Sequence, residues 1–190
     1  MQSYAQLKFV TEYFSSMQGL RLMPFWAFSA FVNATVLLRI DSLVIIVIGL
    51  VGVVVTFFLV QPLFDRYYRE RFGTVESRIS RAQAIMGGVL VACILLDLFA
   101  QPPINMTGVG IAAFTFYLAW GSRGLLPHYA VFGVVVLLVS LLSAGIEVDL
   151  RINIVMLVVS LLSLVSGLLD HLTLTRLMPP MQEEKHVESV

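Results

Sequence analysis

Charged residues are scarce in this sequence. Only 13% of its 190 residues are charged and 58% are hydrophobic, whereas roughly 25% of the residues in an average soluble domain are charged. Twelve acidic and twelve basic side chains cannot cover the polar surface that a water-soluble globule of this length requires. A soluble globular fold is therefore nearly excluded, and the composition indicates that the chain resides in lipid.

Cysteine pairs and an excess of charge of either sign are also missing. Cys93 is the single cysteine, so no disulfide forms within the chain, and no spacing typical of a zinc site occurs. The formal net charge is zero and no lysine-rich block is present, which argues against a nucleic-acid partner. We therefore predict no metal, no cofactor and no nucleic acid.

Six long apolar stretches are present instead. They cover residues 22–38, 43–60, 82–100, 104–121, 125–146 and 152–169. At about 1.5 Å per residue, a helix over each is long enough to cross about 30 Å of hydrocarbon, and none alternates in polarity as a membrane barrel strand does. We predict an all-α polytopic membrane protein, a compact bundle of about six transmembrane helices over residues 22–177. If the first stretch lies in the interface, the number falls to five.

The basic residues predict the orientation of the chain. With six crossings, ten of the twelve lysine and arginine residues fall on the side of both termini, and only Arg39 and Arg151 fall on the other side. Cytoplasmic loops of membrane proteins are rich in these residues. We therefore expect an integral protein of a bacterial inner membrane with both termini in the cytoplasm.

Three further segments flank or interrupt the apolar stretches. Residues 4–18 place apolar side chains three or four positions apart, so we interpret residues 1–21 as an amphipathic helix on the inner leaflet. The alternative is a lead-in that packs against neighbouring helices. Residues 61–81 predict a basic helical hairpin in the cytoplasm. The tail, 178–190, contains two adjacent prolines and three glutamates and is predicted to be disordered.

Two polar residues lie inside predicted crossings. Asn33 lies in the first, and Asp97 lies about one helical turn inside the outer end of the third, where an unpaired carboxylate is costly. Asp97 is therefore a candidate for lining a substrate or proton path. The alternative is an interfacial acid that reaches lipid head groups or is satisfied by Asn105.

A second set of polar residues is predicted at the cytoplasmic boundary. It consists of Asp65, His128, Asp170 and His171, which lie where predicted crossings begin or end. If they come together, two carboxylates and two imidazoles make an acid–base pair or a metal site. No ligand motif such as H-E-x-x-H is present, and the alternative is that these residues are interfacial anchors.

The hairpin carries a group of arginine and tyrosine residues that we call the basic surface. Its members are Arg66, Tyr67, Tyr68, Arg69, Arg71, Arg78 and Arg81. The arginines obey the topology rule without any further function. They also suit attraction to anionic lipid or the docking of an acidic partner.

In length, in predicted topology and in the spacing of Ala30 and Ala34, the chain is similar to the substrate-binding membrane components of energy-coupling-factor vitamin transporters. The resemblance is one of size and topology, and it implies a transporter component. The charged segment 65–71 departs from that family.

Three functions are compatible with these features. We expect a small membrane transport component, either a permease or a membrane subunit of a larger transporter. The alternative is a non-catalytic membrane scaffold or regulator that docks a partner through the basic surface, and an intramembrane enzyme is third. Membrane lipids are the expected partners, another membrane or cytoplasmic subunit is a second candidate, and an oligomer is compatible with the sequence.

Overall fold

The computed structural model describes Phe14 and residues 17–40, 43–72, 80–122 and 125–178. All regular secondary structure in these ranges is helical, which confirms the predicted all-α class. Most of the predicted interfacial helix, residues 73–79 of the predicted hairpin and the tail from residue 179 lie outside the described residues.

Seven α-helices are present in the described ranges. They are α1 (Met23–Leu37), α2 (Leu43–Val55), α3 (Gln61–Phe72), α4 (Arg81–Phe99), α5 (Met106–Gly121), α6 (His128–Leu142) and α7 (Val148–Leu177). A short 3-10 helix, Gly19–Arg21, precedes α1, and a π-helical turn, Thr56–Val60, joins α2 to α3 without a break. Each of the six apolar stretches in the sequence coincides with a helix.

Local chemistry sets where these helices begin. The side chain of Ser80 accepts a hydrogen bond from the Gln83 N–H, and the Gln83 side chain accepts one from the Ser80 N–H, so a capping box opens α4. Asn105 caps α5 by accepting from the Gly108 N–H at 2.7 Å. Between α6 and α7, Gly145 has a φ of +91°, which an L side chain rarely adopts.

The helices pack in an open arc. Along this arc α4 packs on α5, α5 on α6, α6 on α7, α7 on α1, and α1 on α2. In the described part of the chain, α4 at one end and α2 at the other share no substantial packing. The predicted bundle is therefore open on one side, and the arc has a concave face.

Close approach of backbones holds the middle of the arc together. A Cβ atom added to Gly19 would overlap the carbonyl group of Gly167 in α7. One added to Gly108 in α5 would overlap the hydroxyl of Ser140 in α6. Small residues at such crossings let helices pack more closely than larger side chains allow.

Two helices, α4 and α7, are long and apolar enough to cross a membrane. The apolar helices α1, α5 and α6 are shorter; α1, for example, has 15 residues and so rises only about 22 Å. Helix length alone therefore supports two crossings, and the predicted number of six is not confirmed.

Several charged side chains are buried in this structure, while many large apolar side chains are exposed. Asp97, Arg151 and Asp170 are 7%, 3% and 2% exposed, whereas Phe99 and Trp120 are 79% and 89% exposed. Large continuous apolar surfaces are uncommon on monomeric soluble proteins. Much of the exterior of this arc is thus apolar, and three charged side chains are buried in its interior.

Two residues of the N-terminal lead-in, Phe14 and Met17, are buried. Phe14 and Met17 belong to a cluster with Tyr68 and Phe72 of α3, Leu118, Leu126 and Leu174. At these two positions the lead-in packs against the helices.

Candidate functional site

The concave face of the arc encloses a partly open cavity of about 720 Å³, which we call the cleft. Its walls are mostly apolar, and their largest side chains are Leu22, Trp26, Leu90, Ile94, Ile111, Phe114, Leu118, Phe132, Met156 and Val159. The charged and larger polar side chains gather towards one end, which we call the polar end: Gln18, Arg21, Gln61, Tyr129 and Asp170. Thr107, at the first turn of α5, lines the opposite part of the cleft.

Asp170 is the buried charged group of the polar end. Its Oδ1 lies 2.9 Å from Nε2 of His128, and its Oδ2 accepts a hydrogen bond of 2.6 Å from the Tyr129 hydroxyl. His128 and Tyr129 are the first residues of α6, and Asp170 lies in the last third of α7, so the packing of α6 on α7 brings them together. The result is an acid–base pair held in place by a tyrosine at the wall of the cleft.

Arg21 and Asp65 form an ion pair at the same end of the cleft. Arg21 Nε lies 3.0 Å from Asp65 Oδ1, and the two side chains are 39% and 34% exposed. Arg21 is the last residue of the 3-10 helix that begins at Gly19, and it lines the cleft. The polar end therefore contains both a guanidinium and a buried carboxylate.

Tyr68 and His171 form a neighbouring contact that does not line the cleft. The Tyr68 hydroxyl accepts a hydrogen bond from the Leu20 N–H at 3.3 Å and lies 3.2 Å from Nδ1 of His171. Tyr68 is buried, and burial raises its pKa to about 12. The phenol therefore stays neutral through the physiological range and fixes the 3-10 helix Gly19–Arg21 to α3 and α7.

The predicted boundary set is thus brought together only in part. Asp170 and His128 form a direct pair, whereas Asp65 pairs with Arg21 and His171 pairs with Tyr68. Within the described residues, no group of three or more His, Cys, Asp or Glu side chains is arranged to hold a metal ion.

The sequence suggests that Asp97 lines a substrate or proton path, but in the structure its carboxylate contacts the backbone. Its Oδ1 and Oδ2 accept hydrogen bonds from the backbone N–H groups of Met106 and Thr107, at 2.8 and 2.5 Å. These N–H groups belong to the first turn of α5, so the carboxylate neutralises a helix N-terminus. Asp97 is not among the residues that line the cleft.

Asn33 also has local partners. Its amide nitrogen donates to the carbonyl oxygen of Ser29, one turn earlier in α1, at 2.7 Å. This residue does not line the cleft. Its partner Ser29 links α1 to α7, because the Ser29 hydroxyl accepts a hydrogen bond of 2.8 Å from the Ser160 hydroxyl.

The basic surface is divided by the fold. Arg66 pairs with Glu70 at 2.6 Å and Arg71 lies over the Tyr67 ring at 5.7 Å, while Arg69 is exposed. Tyr68 is buried and faces the protein, and Arg81 is exposed at the start of α4. Arg78 lies outside the described residues.

Three functional candidates escape sequence reasoning. Arg21 counts there only as one of the inner-side basic residues, and Tyr129 is not singled out at all. Arg151 is buried and donates to the carbonyl oxygens of Pro102 and Pro103, so it ties α7 to the α4–α5 connection. Its Nε is buried without a hydrogen-bond partner in the described structure. No local pattern marks these residues, because each acquires its partner from a distant segment.

No protein-family model, no curated protein and no solved structure matches the chain.

Proposed function

We propose that this chain is a small integral membrane transport component that binds its ligand in the cleft. The observation that carries the proposal is a cavity of about 720 Å³ with a buried carboxylate at one end and apolar walls along the rest. Binding sites of this size, apolar with a few convergent polar groups, are typical of small-molecule ligands. In membrane proteins, buried ionisable groups commonly mark ligand or ion pathways.

The surface of the arc supports the membrane placement. Its exterior is lined by exposed leucine, valine, isoleucine and phenylalanine side chains, including those of α2, α4 and α6. A bilayer stabilises such a surface, and water does not. In this proposal all six apolar segments cross or enter the hydrocarbon, and the unbroken helix from Leu43 to Phe72 supplies the second crossing and its extension.

The distribution of basic residues supports the orientation. The end of α7 and the arginines of α3 lie on the side that carries ten of the twelve basic residues in the predicted topology. The polar end of the cleft, which contains Asp170, is then near the cytoplasmic head-group layer. Both termini lie on that side.

Transport requires that the interior of the cleft be reached from both sides of the membrane. We would replace Cys93 by Ala and introduce Ser163→Cys, because Ser163 lines the cleft. Val165→Cys, on the same helix but 58% exposed on the outer face, is the matched control. A membrane-impermeant thiol reagent is added to sealed vesicles of each orientation.

The expected result is labelling of the Ser163→Cys variant from either side, with little labelling of the Val165→Cys variant within the lipid. Labelling of the Ser163→Cys variant from one side alone, or from neither, would contradict a transport role.

The basic surface favours a second candidate function, a scaffold that docks an acidic partner. Arg66, Arg69 and Arg71 are exposed on α3. A photo-crosslinking residue at Arg69, compared with one at Leu63 on the same helix, which is 68% exposed, tests it. Capture of one specific protein from position 69 only would support docking, and recovery of lipid from both positions would refute it.

A further inference from the structure

We propose that the ligand of the cleft is a zwitterionic phospholipid with a primary ammonium in its head group. Its ammonium lies at Asp170, its phosphate lies at Arg21, and one acyl chain extends along α7. This inference rests on the proposed function, because it takes the cleft as the ligand site.

The two charged groups line the cleft near the same helix crossing. The backbones of Gly19 and Gly167 touch at a crossing. Arg21 is two residues beyond Gly19, and Asp170 is three residues beyond Gly167, so each lies within about one helical turn, or about 5.4 Å, of that crossing. Both line the cleft. A positive and a negative side chain are therefore held at the same end, which is complementary to a head group with both charges.

Both groups retain hydrogen-bonding capacity. A carboxylate has about four acceptor positions, and within the described residues Asp170 uses one on each oxygen, for His128 and Tyr129. A guanidinium has five N–H donors, and the contact of Arg21 with Asp65 is made through Nε. The remaining acceptor positions suit an ammonium, which donates three hydrogen bonds, and guanidinium groups match phosphate oxygens in geometry.

The rest of the cleft matches a hydrocarbon chain. Along α7 its lining extends from Met156 to Asp170, a rise of about 21 Å. Apolar side chains of α4, α5 and α6, such as Ile94, Ile111 and Phe132, form the facing walls. This length exceeds half of the roughly 30 Å hydrocarbon core, as a long acyl chain requires.

The opening of the arc explains how such a ligand enters. Because α2 and α4 share no substantial packing in the described structure, the cleft faces the bilayer between them. In the proposed orientation the polar end lies at the cytoplasmic head-group layer. A lipid of the inner leaflet can therefore move sideways into the cleft while its head group stays at one depth and its chain stays in hydrocarbon.

The experiment compares head groups at constant chain length. Purified full-length protein in detergent is titrated with lysophosphatidylethanolamine, lysophosphatidylglycerol and an alkylamine, and binding is measured by native mass spectrometry and by thermal shift. Water-soluble phosphoethanolamine, which has the same head and no chain, separates a lipid ligand from a free one. Lysophosphatidylethanolamine is expected to bind with the highest affinity of the three amphiphiles. Phosphoethanolamine is expected to cause no shift in the unfolding temperature.

Variants then test which side chain binds the phosphate and which binds the ammonium. Arg21→Gln is expected to weaken binding of both phosphate lipids by about tenfold, the loss of one charge-assisted contact. Asp65→Asn is the matched control, because it breaks the same ion pair and keeps the guanidinium. Asp170→Asn should reduce the affinity for lysophosphatidylethanolamine to that for lysophosphatidylglycerol. Circular dichroism checks folding, and if Asp170→Asn is unfolded, the comparison of Arg21→Gln with Asp65→Asn decides.

Several results would overturn the proposal. Equal affinity for all three amphiphiles would show that the cleft binds acyl chains without discriminating between head groups. In that case, thiol labelling of the Ser163→Cys variant from both sides would still support the transport role. A shift with phosphoethanolamine as large as that with the lipid would assign the site to a soluble ligand. Binding of no amphiphile, with position 163 accessible to the thiol reagent from both sides, would refute a lipid ligand and leave the transport role in place.

Discussion

Replacement of Asp97 by alanine should destabilise the protein without affecting the cleft. The carboxylate accepts hydrogen bonds from the Met106 and Thr107 N–H groups and is 7% exposed. Removing it leaves two amide donors without their partner at the N-terminus of α5. The tertiary link between the end of α4 and the start of α5 is lost at the same time.

The magnitude follows from those two bonds. Loss of a helix cap costs about 0.5–2 kcal/mol, and a hydrogen bond to a charged group contributes about 1.5–3 kcal/mol. Because the two bonds share one side chain, their effects do not add fully. We expect Asp97→Ala to lower the free energy of unfolding by about 2–4 kcal/mol. Asp97→Asn, which keeps one neutral acceptor oxygen, should cost about half as much.

The assay is unfolding by sodium dodecyl sulfate in mixed micelles, followed by far-ultraviolet circular dichroism. Asp149→Asn is the matched control, because Asp149 is an exposed acid in the first turn of α7, and its replacement should change stability by less than about 0.5 kcal/mol. Thiol labelling at position 163 is measured after Asp97→Ala is combined with Ser163→Cys. Unchanged stability together with lost labelling would refute the capping role and restore Asp97 as a path residue.

Three further predictions concern packing, titration and the α4–α5 connection. Gly19→Ala should destabilise the protein by about 1–3 kcal/mol or more, because the new Cβ would overlap the Gly167 backbone. By contrast, Gly88→Ala, where no atom lies within 4 Å of the new Cβ, should be neutral or stabilising; equal unfolding midpoints for the two variants would contradict this. The pKa of Tyr68 is raised from 10.0 to about 12, so its contribution to stability is complete below pH 10 and is lost as pH rises towards 12; the alkaline ultraviolet titration should lose a tyrosine component near pH 12 in Tyr68→Phe, and an unchanged curve would exclude the assignment. Arg151→Met should lower the free energy of unfolding by about 1–3 kcal/mol, because two carbonyl groups lose their donors, whereas a midpoint like that of the parent protein would show that this contact is not stabilising.

Individual residues show how far sequence reasoning reaches. Two members of the boundary set, His128 and Asp170, lie 2.9 Å apart. Depth in a predicted topology identifies residues at one level, but it does not determine which helices are neighbours. Asp65 and His171 are therefore placed at the same level by the sequence and yet have separate partners, Arg21 and Tyr68.

Asp97 illustrates the same limit for a single residue. An acid within an apolar helix predicts either a functional path or a satisfied interfacial group, and the sequence favours neither strongly. The chain must reverse after α4 before the N–H groups of α5 can meet the carboxylate. That reversal depends on the short connection through Pro102 and Pro103, which Arg151 of α7 holds.

The sequence by itself determines that the described chain is helical, where its helices lie and that much of its exterior is apolar, because hydrophobic composition and helix capping act over a few residues. Only the tertiary structure decides the order of the helices in the arc, the opening between α2 and α4, and the meeting of Arg21, His128, Tyr129 and Asp170 at one end of the cleft. These features depend on close packing between segments far apart in the chain, such as Gly19 on Gly167, and the apolar stretches are too alike in composition to specify which of them become neighbours.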